Sequence, residues 1–175
     1  QIFWASHVAH HQSEDYNLST ALRQTGTGAF FTWVFYIPVF LLGVPSYVFV
    51  SVASINLVYQ FWVHSEHIPK LGWYEKFFVT ASNHRVHHAQ NDNYIDKNYG
   101  GVFIIWDRMF GTYKEEDESE APIYGIRGTL NTFNPIWANL HVYFSMAKDI
   151  WNAQNWKDKF FVPFAKTGWR PSSLP

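Results

Sequence analysis

A long uncharged segment dominates the pattern of hydrophobic and polar positions along the chain. Residues 24–65 contain no Asp, Glu, Lys or Arg, and most of residues 29–63 are aromatic or aliphatic. One membrane-spanning helix needs about 20 apolar residues. The segment of 42 residues is therefore long enough for two passes, and it predicts membrane-spanning structure in this part of the chain.

Glycine and proline near the middle divide this segment into two halves. Pro38, Gly43 and Pro45 lie there, and both residue types break or kink helices. We expect a transmembrane helical hairpin, with one helix over residues 28–42 and a second over residues 46–63. Both ends of such a hairpin lie on the same side of the membrane. The alternative is a buried hairpin in a soluble all-α domain, although soluble helices rarely run this far without a charge.

The remainder of the chain predicts shorter helices separated by polar loops. The expected elements are a helix over residues 73–88, an ordered loop over residues 90–101, a short helix at the membrane surface over residues 102–110, a solvated acidic loop over residues 115–120, and a helix over residues 136–153. The tail, residues 156–175, mixes basic with aromatic residues and is expected to lie in the lipid headgroup region.

Composition narrows the classes of partner. Aromatic residues make up 20% of the chain and charged residues 15%, against about 25% charged in ordinary soluble domains. Trp and Tyr collect at membrane interfaces, which agrees with the predicted hairpin. The net charge of −1 offers no basic field for nucleic acid. The chain contains no cysteine, which excludes disulfides and thiolate metal ligands.

The pattern HxxHH occurs twice, at residues 7–11 and 84–88, in a chain with nine histidines. On a helix, positions i, i+3 and i+4 share one face, so each pattern groups three imidazoles. His64 and His67 form a further histidine pair at the inner end of the second hydrophobic helix. If the hairpin returns to its starting side, eight imidazoles converge just outside the bilayer. The candidate metal ligands are His7, His10, His11, His64, His67, His84, His87 and His88.

Eight imidazoles are too many for one ion and indicate two. Neutral imidazole suits Zn, Fe, Cu and Ni. A lone histidine pair at helical spacing is more often a surface or core feature, but two complete patterns plus a third pair favour metal. His141 stands alone and is interpreted as structural. The zinc-hydrolase signature HExxH is absent, so an all-histidine site beside a lipid bilayer points to oxygen activation instead. The predicted fold is an all-α integral membrane helical bundle with a cytosolic, histidine-rich helical cap.

Three stretches resemble the membrane fatty acid hydroxylase/sterol desaturase superfamily, and within it the alkylglycerol monooxygenase family and its bacterial relatives. They are HVAHHQSEDYNLSTALRQ (residues 7–24), YQFWVHSE (residues 59–66) and HRVHHAQNDNYIDKNYGGVFIIWDRMFGTY (residues 84–113). The resemblance extends to about Asn134, whereas the tail after Asn139 is not diagnostic. Residues 1–175 are accordingly interpreted as the C-terminal part of a single domain of this kind.

The resemblance implies a di-iron, O2-dependent lipid monooxygenase, with zinc as an alternative metal in the purified protein. It implies an integral protein of the bacterial inner membrane or endoplasmic reticulum, with the histidines facing the cytoplasm. Electrons would come from tetrahydrobiopterin or from a cytochrome b5- or ferredoxin-type donor, and the alkylglycerol branch cleaves ether lipids. The family carries a further histidine box upstream of the first HxxHH. Because the chain begins just before His7, we expect those ligands to precede Gln1.

Polar residues near the two patterns are candidates to accept hydrogen bonds from ligand imidazoles and fix their tautomers. These residues are Glu14, Asp15, Asp92, Asp96 and Asn98. The run Tyr99-Gly100-Gly101 allows a close backbone approach near the site. Asp107 and Arg108 are expected to form a local ion pair without a catalytic role.

Two rival functions stay open at the level of sequence. The first is another chemistry of the same superfamily: a sterol or hopanoid oxidase or desaturase, or a fatty acid or carotenoid hydroxylase. The second is a non-catalytic membrane protein that binds metal for structure or transport. The hydrophobic segment offers only Ser, Thr, Asn56 and Gln60 as polar groups, which argues against ion transport.

Overall fold

Every regular element is helical in the computed structural model, which describes residues 1–174. Within that range there are α-helices, 3₁₀ segments and two isolated β-bridges, and no β-strand. The α-helices are α1 (Ile2–Ala5), α2 (Val8–His11), α3 (Leu18–Leu22), α4 (Ala29–Thr32), α5 (Ile37–Leu41), α6 (Ser46–Trp62), α7 (Ala81–His88), α8 (Ile105–Phe110), α9 (Pro135–Asn152) and α10 (Trp156–Phe161). The 3₁₀ segments are Trp33–Tyr36, Gly72–Lys76 and Val162–Phe164. The predicted all-α class is confirmed.

The chain divides into two compact units. The terminal unit comprises Gln1–His10, Gln24–Phe35 and Leu130–Pro175, and the central unit comprises His11–Arg23 and Tyr36–Thr129. The first boundary between them falls inside α2, after the third of its four residues.

The terminal unit is built on α9, the helix predicted over residues 136–153. Asn134 begins it, because its side-chain oxygen accepts from the backbone N–H of Ile136 at 2.9 Å and so satisfies a donor that the first helical turn leaves open. Helix α1 packs against α9, and the buried side chains of Ala5, Met146 and Val162 form the core between them.

The hydrophobic segment forms α4, a 3₁₀ segment, α5 and α6. The helix predicted over residues 28–42 is interrupted by 3₁₀ structure just before Pro38, which has no N–H to donate to the preceding turn. The predicted turn is confirmed: Gly43 has φ +82°, and Pro45 precedes the first residue of α6. Within the central unit, α3 packs against α6, and the ring of Phe40 lies 5.0 Å from that of Phe49.

The membrane hairpin itself stays a prediction. Among residues 1–174, no helix is at once long enough and apolar enough to cross a membrane. Helix α6 nevertheless has no buried residue, and its apolar side chains are widely exposed, Ile55 by 69% and Val58 by 73%. A helix that is apolar all round differs from an ordinary water-facing helix, which carries one apolar stripe.

Helix α7 begins later than predicted, which corrects the helix expected over residues 73–88. The chain makes a short 3₁₀ segment, then an extended stretch, and turns helical only at Ala81. The cause is the buried carboxylate of Glu75, whose Oε1 accepts from Thr80 Oγ1 and Ser82 Oγ, both at 2.7 Å. The Thr80 N–H donates to Asn83 Oδ1 at 3.1 Å. These bonds hold Thr80 in the extended conformation from which a capped helix starts.

Backbone pairing secures both ends of α7. Before the helix, the Val79 N–H donates to the Val102 carbonyl at 2.8 Å. After the helix, the Gln90 N–H donates to the Ile123 carbonyl, also at 2.8 Å. The helix that carries the second HxxHH pattern is therefore fixed at both ends by segments distant in sequence.

A nearly buried ion pair anchors the middle of α7. Arg85 donates from Nε and Nη2 to the two carboxylate oxygens of Glu116 at 2.7 and 2.6 Å. Its Nη1 donates to the carbonyls of Ser65 and Ile68, both at 2.9 Å. The expectation of a fully solvated acidic loop over residues 115–120 is wrong at Glu116, because the Arg85 guanidinium draws that carboxylate inward.

Glu116→Gln is expected to lower the free energy of unfolding by about 3 kcal/mol, because it leaves the Arg85 charge nearly buried and uncompensated. Thermal or denaturant unfolding followed by circular dichroism measures the change. Glu118→Gln is the matched control, since Glu118 is exposed in the same loop, and its effect should stay within about 0.5 kcal/mol. Equal effects of the two substitutions would contradict the importance of the Arg85 pair.

Candidate metal centre

Three histidine nitrogens of the central unit converge at short distances. In α7, His84 and His88 are one turn apart and share a face, and their Nε2 atoms lie 3.2 Å apart. The Nε2 of His64, two residues beyond α6, lies 3.1 Å from that of His84. All three side chains are buried.

These separations suit a shared cation. Two imidazole nitrogens bound to one ion at about 2.1 Å lie about 3.0–3.4 Å apart. The Nδ1 of His64 lies 2.8 Å from the Gln60 carbonyl, which can only accept a hydrogen bond, so the proton sits on Nδ1. The Nε2 of His64 is then a lone pair directed at His84, which is the state a metal ligand needs.

A second set of imidazoles lies beside the first. The ring of His11 lies 4.9 Å from that of His87 and stacks on that of His88 at 4.2 Å. The Nδ1 of His87 faces the Lys97 carbonyl at 3.2 Å. The same argument therefore places its proton on Nδ1 and leaves Nε2 for a metal.

Within the central unit the ligand nitrogens form two groups, each with its members within 4.8 Å of one another. The His64 group comprises the buried residues His64, His84 and His88, and the His87 group comprises buried His11 and half-buried His87. A donor set made only of imidazole nitrogen suits iron, zinc or copper. The structure thus brings five of the eight predicted ligands into two adjacent groups, while His7 and His10 lie in the terminal unit.

Burial keeps the rings of His64 and His87 neutral. It lowers the pKa of His64 and that of His87, because an apolar surrounding disfavours the charged ring. At neutral pH both rings are therefore free of the second proton that would block metal binding.

The two remaining histidines lie elsewhere. His67 is exposed and lies outside both groups of ligand nitrogens. It lines a cavity of about 310 Å³ whose wall also includes Tyr16, Ser19, His64 and Glu66. His141, in α9, places its Nδ1 3.2 Å from the Trp137 carbonyl.

The polar residues predicted to orient the ligands occupy varied places. Glu14 and Asp15 are exposed, Asp92 pairs with Arg127 at the surface, and Asp96 accepts from the Tyr99 hydroxyl at 3.0 Å. The acceptors found on His64 and His87 are instead the backbone carbonyls of Gln60 and Lys97. Side-chain chemistry alone could not reveal them.

The expected ion pair between Asp107 and Arg108 is wrong. Buried Asp107 accepts from the backbone N–H groups of Tyr99 and Gly100 at 2.7 and 2.8 Å. Arg108 lies over the ring of Tyr113, with 3.6 Å between its guanidinium carbon and the ring centroid. The close backbone approach predicted at Gly100 is made to this carboxylate, since a Cβ there would lie 2.9 Å from Asp107 Oδ2.

Tyr16 is a site residue that the sequence did not single out. Its buried ring lies 5.7 Å from that of His64 and 5.2 Å from that of His88, and its hydroxyl donates to the Val63 carbonyl at 3.0 Å. Burial raises its pKa well above the ordinary tyrosine value, so it stays a neutral phenol against the cluster. The sequence signal for this role was its position within residues 7–24, the stretch that begins with the first HxxHH pattern.

Comparison with known proteins agrees with this geometry. The fatty acid hydroxylase family model matches residues 1–112, more than half of the chain and the part that holds all eight histidines predicted as ligands. The chain belongs to the fatty acid hydroxylase family. The resemblance noted in its three long sequence stretches is thereby confirmed.

Within the fatty acid hydroxylase family, the chain is similar to proteins named alkylglycerol monooxygenase. The human protein is 47% identical over 97% of this chain and 38% of its own length, and the zebrafish (Danio rerio) protein is 46% identical over 97% and 37%. An ornithine lipid hydroxylase from Rhizobium tropici is 29% identical over 53% of this chain and 28% of its own. The chain thus spans well under half the length of these relatives. No solved structure gives a significant match.

His84→Ala is expected to abolish metal binding at the His64 group, because His84 Nε2 lies within 3.2 Å of the Nε2 atoms of both His64 and His88. Loss of a residue that only hydrogen-bonds to a ligand costs about 10–100-fold in metal affinity. Loss of the ligand itself should lower the affinity by more than this. Metal analysis by inductively coupled plasma mass spectrometry measures it. His67→Ala is the control and should keep the wild-type metal content. A greater loss in the control than in His84→Ala would contradict the grouping.

Proposed function

We propose that this chain carries the di-iron centre of a membrane-bound, O2-dependent lipid monooxygenase. The observation that carries the proposal is the pair of adjacent histidine groups of the central unit, His64, His84 and His88 in one and His11 and His87 in the other. Two groups side by side suit two metal ions acting together. The proposed ligands are these five histidines, joined by His7 and His10 on the strength of the first HxxHH pattern alone.

The substrate proposed is an alkylglycerol ether, by similarity to the relatives of that name. One oxygen atom of O2 is inserted into the C–H bond next to the ether oxygen, and the other leaves as water. Two electrons and two protons from a reductant complete the balance. The resulting hemiacetal breaks its carbon–oxygen bond to release a fatty aldehyde and glycerol.

The residues of this chain prepare the site for that chemistry. Burial lowers the pKa of His64 and that of His87, and the Gln60 and Lys97 carbonyls hold the protons of these two rings on Nδ1. Tyr16 covers one side of the His64 group and excludes water from it. When bound, iron would supply the O2 activation that breaking an unactivated C–H bond requires.

The exposed apolar surface of the central unit suits a lipid substrate. Helix α6 exposes apolar side chains without a buried face. In α8, Trp106, Met109 and Phe110 are exposed by 50–75%. Large exposed apolar surfaces mark contact with membranes or partners. We propose that these helices contact the bilayer from which the lipid chain reaches the histidines, and that the histidines face the cytoplasm.

The cavity beside His64 is the proposed approach for the reductant. It has about 310 Å³, which is at the small end of ligand pockets. Its lining includes the polar side chains of Asn17, Ser19 and Glu66 and the ring of Tyr16. We propose that tetrahydrobiopterin, a planar molecule with polar edges, binds there as the reductant. A cytochrome b5- or ferredoxin-type protein is the alternative donor.

The protein, loaded with iron and supplied with an alkylglycerol, tetrahydrobiopterin and O2, is expected to release a fatty aldehyde. Fluorescent derivatisation of the aldehyde measures turnover, and ¹⁸O2 labels the oxygen inserted. His84→Ala should be inactive, while His141→Ala should retain activity because His141, in α9, lies outside both ligand groups and outside the cavity proposed for the reductant. Iron-loaded protein that consumes no O2 with any lipid tested would overturn the proposal.

The remaining outcomes distinguish the rival functions. O2-dependent formation of a stable hydroxylated lipid without aldehyde would favour a hydroxylase, in line with the name of the ornithine lipid relative. Oxidation or desaturation of a sterol or hopanoid would place the chain in that branch of the superfamily. Stoichiometric zinc binding with no O2 consumption would favour a non-catalytic metal protein.

A further inference from the structure

We propose that Asn98 and Asp107 are positioning residues for the His87 group, and that they act on His87 through the backbone carbonyl of Lys97. The inference rests on the proposed function, because it assumes that this group binds a metal. Neither residue is a metal ligand in the proposal. Each fixes the loop whose carbonyl holds the proton of His87.

Asn98 fastens this loop to the start of α7. The residue is fully buried, and its Nδ2 donates to the carbonyls of Asn83 at 3.0 Å and Lys114 at 2.7 Å. Its Oδ1 accepts from the Lys114 N–H at 2.9 Å. One side chain therefore joins the loop to the residue before His84 and to a third segment.

The backbone of Asn98 contributes as much as its side chain. Its φ of +52° lies in the left-handed region, which Asn tolerates better than most residues. Its N–H donates to the Thr112 carbonyl at 3.1 Å. This turn sets the direction of the preceding peptide, whose carbonyl belongs to Lys97.

Asp107 holds the other side of the same loop. Its carboxylate accepts from the N–H groups of Tyr99 and Gly100, and Oδ1 also accepts from Thr112 Oγ1 at 2.6 Å. Three donors converge on one buried carboxylate, which is the arrangement that strengthens hydrogen bonds to a charged acceptor. The loop that follows Lys97 is thus tied on both sides.

By fixing the Lys97 carbonyl, these hydrogen bonds determine which tautomer His87 adopts. A carbonyl at 3.2 Å from Nδ1 accepts its proton, and Nε2 is left available to a metal shared with His11. A partner that holds a ligand imidazole in one tautomer commonly adds about 10–100-fold to metal affinity. The His64 group has its own carbonyl acceptor at Gln60, so disturbing the Lys97 loop should affect the His87 group more than the His64 group.

The test is a Co²⁺ titration of the full protein, with the visible absorption of the bound ion followed for each equivalent. The wild-type chain is expected to show two binding phases. In Asp107→Asn, an amide N–H₂ replaces one oxygen and faces a backbone donor, so the phase of the His87 group should weaken by about 10–100-fold. The phase of the His64 group should change by much less than this.

Asp92→Asn is the matched control, because it makes the same chemical change in the loop that contains Lys97, on a side chain that is 90% exposed. Its two phases should equal those of the wild type. Asn98→Gly is the second variant, in case Asp107→Asn fails to fold. Glycine adopts a positive φ without strain, so the turn is retained while the side-chain bonds to α7 are lost, and the same single phase should weaken.

The outcomes separate the two proposals. A wild-type protein that binds no metal would overturn the proposed function itself. Two wild-type phases that persist unchanged in Asp107→Asn and Asn98→Gly would overturn only the positioning role. Equal weakening of both phases in the folded variants would also overturn it, since that result indicates general destabilisation rather than an effect carried through His87.

Discussion

The close approach of neutral imidazole nitrogens is the constraint on which the central unit depends. His84 Nε2 lies just over 3 Å from the Nε2 atoms of both His64 and His88. Neutral imidazole has one donor and one acceptor nitrogen, and with the proton of His64 on Nδ1 its Nε2 is a bare lone pair. Such lone pairs pack together when a cation shares them. The polypeptide must hold them in register, and most polar interactions around α7 serve that purpose.

Those interactions act at successive points along α7. Glu75 organises the residues that begin the helix, Arg85 and Glu116 anchor its middle, and backbone pairing secures the chain on either side. Each interaction joins segments far apart in sequence. The short helix has only eight residues, too few for stability on its own in water, so tertiary contacts determine where it starts and which way its histidines face.

Local pattern predicted the parts of the structure that local physics controls. The spacing within each HxxHH predicted imidazoles on one helix face, and the Gly and Pro residues near position 43 predicted the turn before α6. The helix predicted over residues 136–153 is observed as α9, over Pro135–Asn152. The match of the family model to residues 1–112 confirms the resemblance that residues 7–24 and 84–113 had suggested.

The features that the sequence could not predict depend on distant contacts. The late start of α7 follows from a carboxylate five residues before its cap, and the inward position of Glu116 follows from an arginine 31 residues earlier. Every residue has a backbone carbonyl, so the amino-acid sequence could not identify Gln60 and Lys97 as the hydrogen-bond acceptors. Histidine spacing predicted that His67 lies with His64, but His64 is buried whereas His67 is exposed.

The central claim is that imidazole nitrogens form two adjacent metal sites. The most direct test is X-ray absorption at the iron K-edge of the full, iron-loaded protein. The account predicts a nitrogen-rich first shell with the outer-shell scattering of several imidazole rings, and a second iron at about 3.5–4 Å, the usual spacing of two-metal sites. A first shell of oxygen atoms with no imidazole scattering, or a single isolated iron, would contradict it.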